Sequence, residues 1–83
     1  MTFTVSAKTA ENLSVAGDWN MWSTKKEPLK KLKNGNFTGA INLKQGKTYE
    51  FKYVVDGNWE NEEQADKLVW NDYAGAENSF LEL

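Results

Sequence analysis

The chain has 83 residues and a formal net charge of −2 at pH 7, with no histidine and no cysteine. That length suits one small domain spanning 1–83, which buries only about two-thirds of its unfolded surface and has neither disulfides nor a plausible zinc site to compensate. The weakly acidic balance argues against nucleic acid or an anionic membrane as partner, and no apolar run reaches the ~20 residues of a membrane helix.

Strict alternation of apolar and polar residues dominates from the first residues onward. Phe3, Val5 and Ala7 alternate with Thr2, Thr4 and Ser6, which predicts a first strand. Leu13 and Val15 alternate with Ser14 and Ala16 in a second. Leu29 and Leu32 mark a weaker third segment within the lysine cluster Lys25, Lys26, Lys30, Lys31 and Lys33. Lysines of this kind suit a solvated loop and an edge strand, where they discourage pairing with other chains. Asn34-Gly35 reads as a two-residue turn, and Phe37, Gly39, Ile41 and Leu43 then share one face of a fourth strand.

After the Gln45-Gly46 turn comes the clearest element. Tyr49, Phe51, Tyr53 and Val55 share one face; Glu50, Lys52 and Val54 share the other. The first set, with Phe37, Ile41, Val15 and Val5, is the predicted core. A slip of one residue would invert every assignment. Asp56-Gly57-Asn58 reverses the chain, and the acidic stretch from Glu60 to Asp66 reads as a loop or a short helical turn. Leu68 to Trp70 predicts a brief strand, and Phe80 and Leu81 belong to a last one. Nothing has helical periodicity over three turns. The expectation is all-β: a two-sheet sandwich of about six to eight short strands.

Four tryptophans in so short a chain call for explanation. In a domain without cross-links, part of the answer is packing, because each large aromatic buries roughly 150–250 Å². Trp22 and Trp59, however, both follow turn residues and lie outside alternating apolar runs. Loops on a rigid scaffold are where binding residues concentrate. Spacing alone leaves each open between core and exposed platform. Flat indole rings cover the apolar face of a pyranose, while amides and charged side chains bond its hydroxyl rim.

Three pieces of sequence carry a resemblance. They are Gly17-Asp18-Trp19-Asn20-Met21-Trp22, the strand end Val55-Asp56-Gly57-Asn58-Trp59, and the closing Gly75-Ala76-Glu77-Asn78-Ser79. Together they resemble the glycogen-binding domain of the AMP-activated protein kinase β subunit. They are equally similar to the N-terminal modules of glycogen-branching and isoamylase-type enzymes, family 48 of the carbohydrate-binding modules. The resemblance runs from about Thr2 to the end and implies an immunoglobulin-like, early-set β-sandwich that binds α-1,4-linked glucan.

By this resemblance Trp22 and Trp59 are the sugar platforms, Lys52 a donor to sugar hydroxyls between them, and Asn78 an amide that both donates and accepts. Surface and turn roles for Lys52 and Asn78 are the alternatives. Trp19 occupies a position usually held by phenylalanine, with the ring packed inward. The chain departs from the kinase-type domains at two sugar-contacting positions: Ala74 replaces a leucine and Ala76 a threonine. Tyr73 is the candidate to supply the lost contact. Trp70 has no ligand counterpart, which leaves it either packed under the acidic loop or exposed.

Catalysis is a poor fit. Asp56, Glu60, Glu62 and Glu63 supply carboxylates, but a pair doing acid–base work needs a water-excluding cleft that a sandwich this small has little room for. No histidine is available as a base. The expectation is therefore a non-catalytic binder of glycogen, starch or maltooligosaccharide that needs no cofactor and no metal. The rival is a non-binding accessory domain packed on a catalytic domain or kinase subunits. With no export signal at the start, a cytoplasmic location is the default expectation.

Overall fold

A computed structural model describes residues 1–62, 65, 67–72 and 75–83. Eight strands follow one another: β1 (Thr2–Ser6), β2 (Leu13–Gly17), β3 (Lys30–Lys31), β4 (Asn36–Ala40), β5 (Thr48–Val55), β6 (Asn58–Glu60), β7 (Lys67–Asn71) and β8 (Ala76–Glu82). They form two antiparallel sheets, one ordered β1-β4-β3 and the other β2-β5-β8-β7, with β6 also paired to β5. The expected β-sandwich is the fold.

Strand β5 organises the larger sheet. One edge pairs with β2, from Gly17 opposite Phe51 to Leu13 opposite Val55. Its other edge is shared: β8 takes Thr48 to Phe51, and β6 takes Tyr53 to Val55. The register is the one that alternation predicts. Tyr49, Phe51 and Tyr53 are buried, and Phe51 and Tyr53 join Phe3, Val15, Phe37 and Ile41 in the core between the two sheets. Val5, Val55 and Trp19 pack against that cluster while only partly buried. Lys52, on the opposite face, is not buried.

Edge-on aromatic contacts hold the interior. The rings of Phe3 and Phe51 are 5.4 Å apart at an interplanar angle of 69°, and those of Trp19 and Tyr49 are 5.7 Å apart at 89°. This is the geometry that ring quadrupoles favour. Trp19 thus packs inward, as its position in the motif implies.

Three elements differ from the sequence expectation. Asn34-Gly35 is not a two-residue turn, since only Gly35 has a left-handed backbone, at φ 90°. Leu32 pairs with Asn36 around a three-residue loop instead, closed by the Gly35 amide on the Leu32 carbonyl at 3.0 Å. The last strand begins at Ala76, well before Phe80. Glu60 ends an unpredicted strand, β6, rather than opening a loop. The lysine cluster does lie at an edge: Lys30 and Lys31 form the outer strand of the smaller sheet.

Candidate carbohydrate-binding site

Two local structures place the two candidate tryptophans. At the end of β2 the chain folds back on itself through a side chain that composition alone would not single out. Asn20 is 5% exposed. Its Oδ1 accepts from the Gly17 amide at 3.0 Å and the Ser23 amide at 3.2 Å, while its Nδ2 donates to the Val15 carbonyl at 3.1 Å. The Trp22 amide closes the loop on the Gly17 carbonyl at 2.9 Å. Between these anchors Met21 and Trp22 take left-handed φ values of 58° and 57°. Such angles are rare for side chains of that size. Trp22 ends half-buried, and Met21 is 85% exposed.

Trp59 is presented by a hairpin. Asp56 and Gly57 have φ values of 48° and 86°, the pair of positive angles that a two-residue type I′ turn requires. The Asp56 carboxylate accepts from the amides of Glu11 and Asn12, at 3.0 and 2.8 Å through Oδ1, and so fixes the turn to the β1–β2 connection. The hairpin sets Trp59 directly opposite Val54. Directly opposed residues share a face, so Trp59 lies on the outer side with Lys52, 47% exposed. The expectation that Trp59 sits on a loop is corrected: it is a strand residue.

Lys52 lies between these two structures. Its Nζ donates to the Glu77 carbonyl at 3.2 Å, a group left free of β5 because β6 has taken that edge. Asn61 Nδ2 donates to the same carbonyl at 3.0 Å. Asn78 is not in a turn before the last strand but within β8, and it is 2% exposed. Its Nδ2 donates to Glu50 Oε1 at 3.2 Å. Burial of an amide with so specific a partner gives Asn78 a structural function whatever else it contacts.

These four residues come together. Trp22, Lys52, Trp59 and Asn78 line one open depression of about 620 Å³ on the outer face of the larger sheet. Met21, Asn71 and Ala76 complete its wall. Met21 and Asn71 were not singled out from the sequence; the only signal was Met21's place beside Trp22. Tyr73 and Ala74 lie outside the described residues. The floor is part of a sheet and the aromatic walls stand on a stapled loop and a hairpin. The depression therefore pairs apolar surface with a cation and amide groups, which suits a flat, hydroxyl-rimmed ligand.

Comparison with known proteins agrees with this chemistry. Protein PTST homolog 2, chloroplastic, of Arabidopsis thaliana is 40% identical over 50 residues, a stretch that covers 60% of this chain and 9% of that protein's length. The chain thus corresponds to a small part of that relative. Residues 2–83 match the family described as the glycogen recognition site of AMP-activated protein kinase. Carbohydrate recognition is the family's business, and the chain belongs to that family.

Proposed function

We propose that the outer face of the larger sheet binds α-1,4-linked glucan without cleaving it, through Trp22, Lys52, Trp59 and Asn78. The observation that carries this reading is convergence. Residues from a loop and from three different strands, far apart in sequence, line a single depression. Trp59, with nearly half its surface in solvent, offers a stacking face. Trp22 closes the other side. The Lys52 ammonium has donor positions beyond the one that Glu77 uses. Asp56, the carboxylate in the hairpin turn, is engaged by backbone amides, which favours a structural over a catalytic role.

One observation favours the accessory-domain alternative: Asn78 is buried against Glu50 rather than displayed. Titration with β-cyclodextrin or maltoheptaose, followed by tryptophan fluorescence, separates the two readings. The binding reading requires a saturable change that Trp59→Ala abolishes. No change in the unaltered chain, or the same change in Trp59→Ala, leaves the accessory reading in place.

A further inference from the structure

Trp22 is a wall common to two depressions. One is the central depression just described. Beyond it lies a second, of about 320 Å³, bordered by Trp22, Trp70, Asp18, Glu50 and Asp72. Asn71 and Asn78 border both, so the two are continuous. Trp70 is 60% exposed on β7, the free edge of the larger sheet. Along β7 it alternates with Asn71, and it reaches the same depression at that open edge. Its Nε1 donates to Asp72 Oδ1 at 2.5 Å, which fixes the indole against the end of the strand.

We propose that this second depression is a further sugar subsite, onto which a glucan chain held at Trp59 and Trp22 continues to reach Trp70. The proposal rests on the reading of the central depression given above. Its chemistry is distinct from that of the central depression. No lysine borders it; three carboxylates do. Asp18 Oδ2 accepts from the Glu50 amide at 3.2 Å, Glu50 Oε1 accepts from Asn78, and Asp72 accepts from Trp70. A carboxylate has about four acceptor positions, so each keeps capacity for a hydroxyl donor. Asn78, buried against Glu50, lies at the seam between the two depressions. Acceptors flanked by two indoles suit a neutral polyhydroxylated chain, and the three negative charges exclude an anionic one.

The test is a length series, maltotriose to maltoheptaose, titrated into the chain and into Trp70→Ala and Trp59→Ala. Affinity of the unaltered chain is expected to rise about tenfold along the series. Trp70→Ala should erase that rise while leaving maltotriose affinity within about twofold. Its thermal transition should stay close to that of the parent, since the side chain is mostly in solvent. Should Trp70→Ala keep the full rise, or lose affinity equally at every length, the subsite is refuted and the central reading stands. Should Trp59→Ala bind maltotriose as tightly as the parent, or the parent bind nothing, the central reading falls and takes the subsite with it.

Discussion

Asn20 bonds the amide of Gly17 through its side-chain oxygen at 3.0 Å, and that one contact ties the end of β2 to the loop that carries Trp22. Every hydrogen bond of this buried amide side chain goes to backbone: two acceptances by Oδ1, one donation by Nδ2. The loop it staples holds two consecutive bulky residues in the left-handed region, at a cost of roughly 1–2 kcal/mol each. Strain of this kind persists only where surrounding bonds overdetermine it.

Asn20→Ala is therefore expected to act twice. Leaving the Gly17 amide and the Val15 carbonyl unsatisfied should cost about 1–3 kcal/mol per buried group at most. Release of the loop should also let Trp22 leave its place, so glucan affinity should fall even in the fraction that remains folded. Denaturant midpoints and sugar titrations on the same samples separate the two effects. A variant that loses stability but binds normally would show that Trp22 is positioned by something else.

Trp59 and Trp19 should respond in opposite ways to truncation. Trp59 is nearly half exposed, on a three-residue strand, whereas Trp19 stacks among Phe3, Tyr49 and Phe51. Trp19→Ala is expected to cost about 3–5 kcal/mol, as for core aromatics generally, which a domain this small hardly tolerates. Trp59→Ala should cost well under half of that and remove sugar binding. Binding itself should be modest. About 100–150 Å² of apolar contact on an open face corresponds to only ~3 kcal/mol, before association costs and a few hydrogen bonds. Dissociation constants between micromolar and millimolar are expected for short maltooligosaccharides; a nanomolar value would contradict an open platform.

What could be read in advance, and what could not, follows from how each feature is specified. Strand β5 was legible because one face is wholly apolar and the other is not, so period and register are written in eight consecutive residues. The hairpin strand β6 was not, because Asn58, Trp59 and Glu60 have no alternating apolar set. Its existence is specified by Asp56-Gly57, a turn whose paired positive φ values dictate a hairpin. That same hairpin moves β8 off the upper half of β5, and so determines where Lys52 and Asn61 find the Glu77 carbonyl. The burial of Asn78 is a consequence of this long-range pairing and has no local signature. Nor does the exposure of Trp70, which depends on β7 being the last strand of its sheet.

Gly17 and Trp19 form a coupled pair. A Cβ built on Gly17 would lie 2.3 Å from Cζ3 and 2.6 Å from Cη2 of the Trp19 ring, so no other residue fits while the indole stays. Gly17→Ala alone should destabilise by about 1–3 kcal/mol, the usual cost of overpacking. Trp19→Phe should be nearly neutral, within about 1 kcal/mol, for two opposing reasons. It loses ring area, but it also removes Trp19 Nε1, a buried donor with no partner among the described residues, whose burial costs about 1–3 kcal/mol. A phenyl ring has no atoms where Cζ3 and Cη2 lie, so Gly17→Ala should be tolerated better in the Trp19→Phe background. A double-mutant cycle from denaturant midpoints should give a coupling of at least about 0.5 kcal/mol; strict additivity would refute the contact.

The Tyr53 hydroxyl donates to Glu62 Oε2, and the pair predicts how the fold fails in alkali. Burial first, then that hydrogen bond, then the charge of Glu62, all push the phenol above its ordinary value of 10.0. An acid whose pKa is raised by folding holds its proton in the native state after the unfolded chain has released it. Stability from this group is therefore fully present below about pH 10 and declines as pH rises beyond it. Tyr53→Phe removes the titration along with the hydrogen bond. The variant should be less stable than the parent near pH 8 by about 1.5–3 kcal/mol, the worth of a hydrogen bond to a charged group. From about pH 9 to 11 it should lose less stability than the parent, so that the two curves converge. Urea midpoints at about pH 8 and 11 decide the matter: a difference that stays constant or widens with pH would mean that Tyr53 is not protonated more tightly in the fold than out of it.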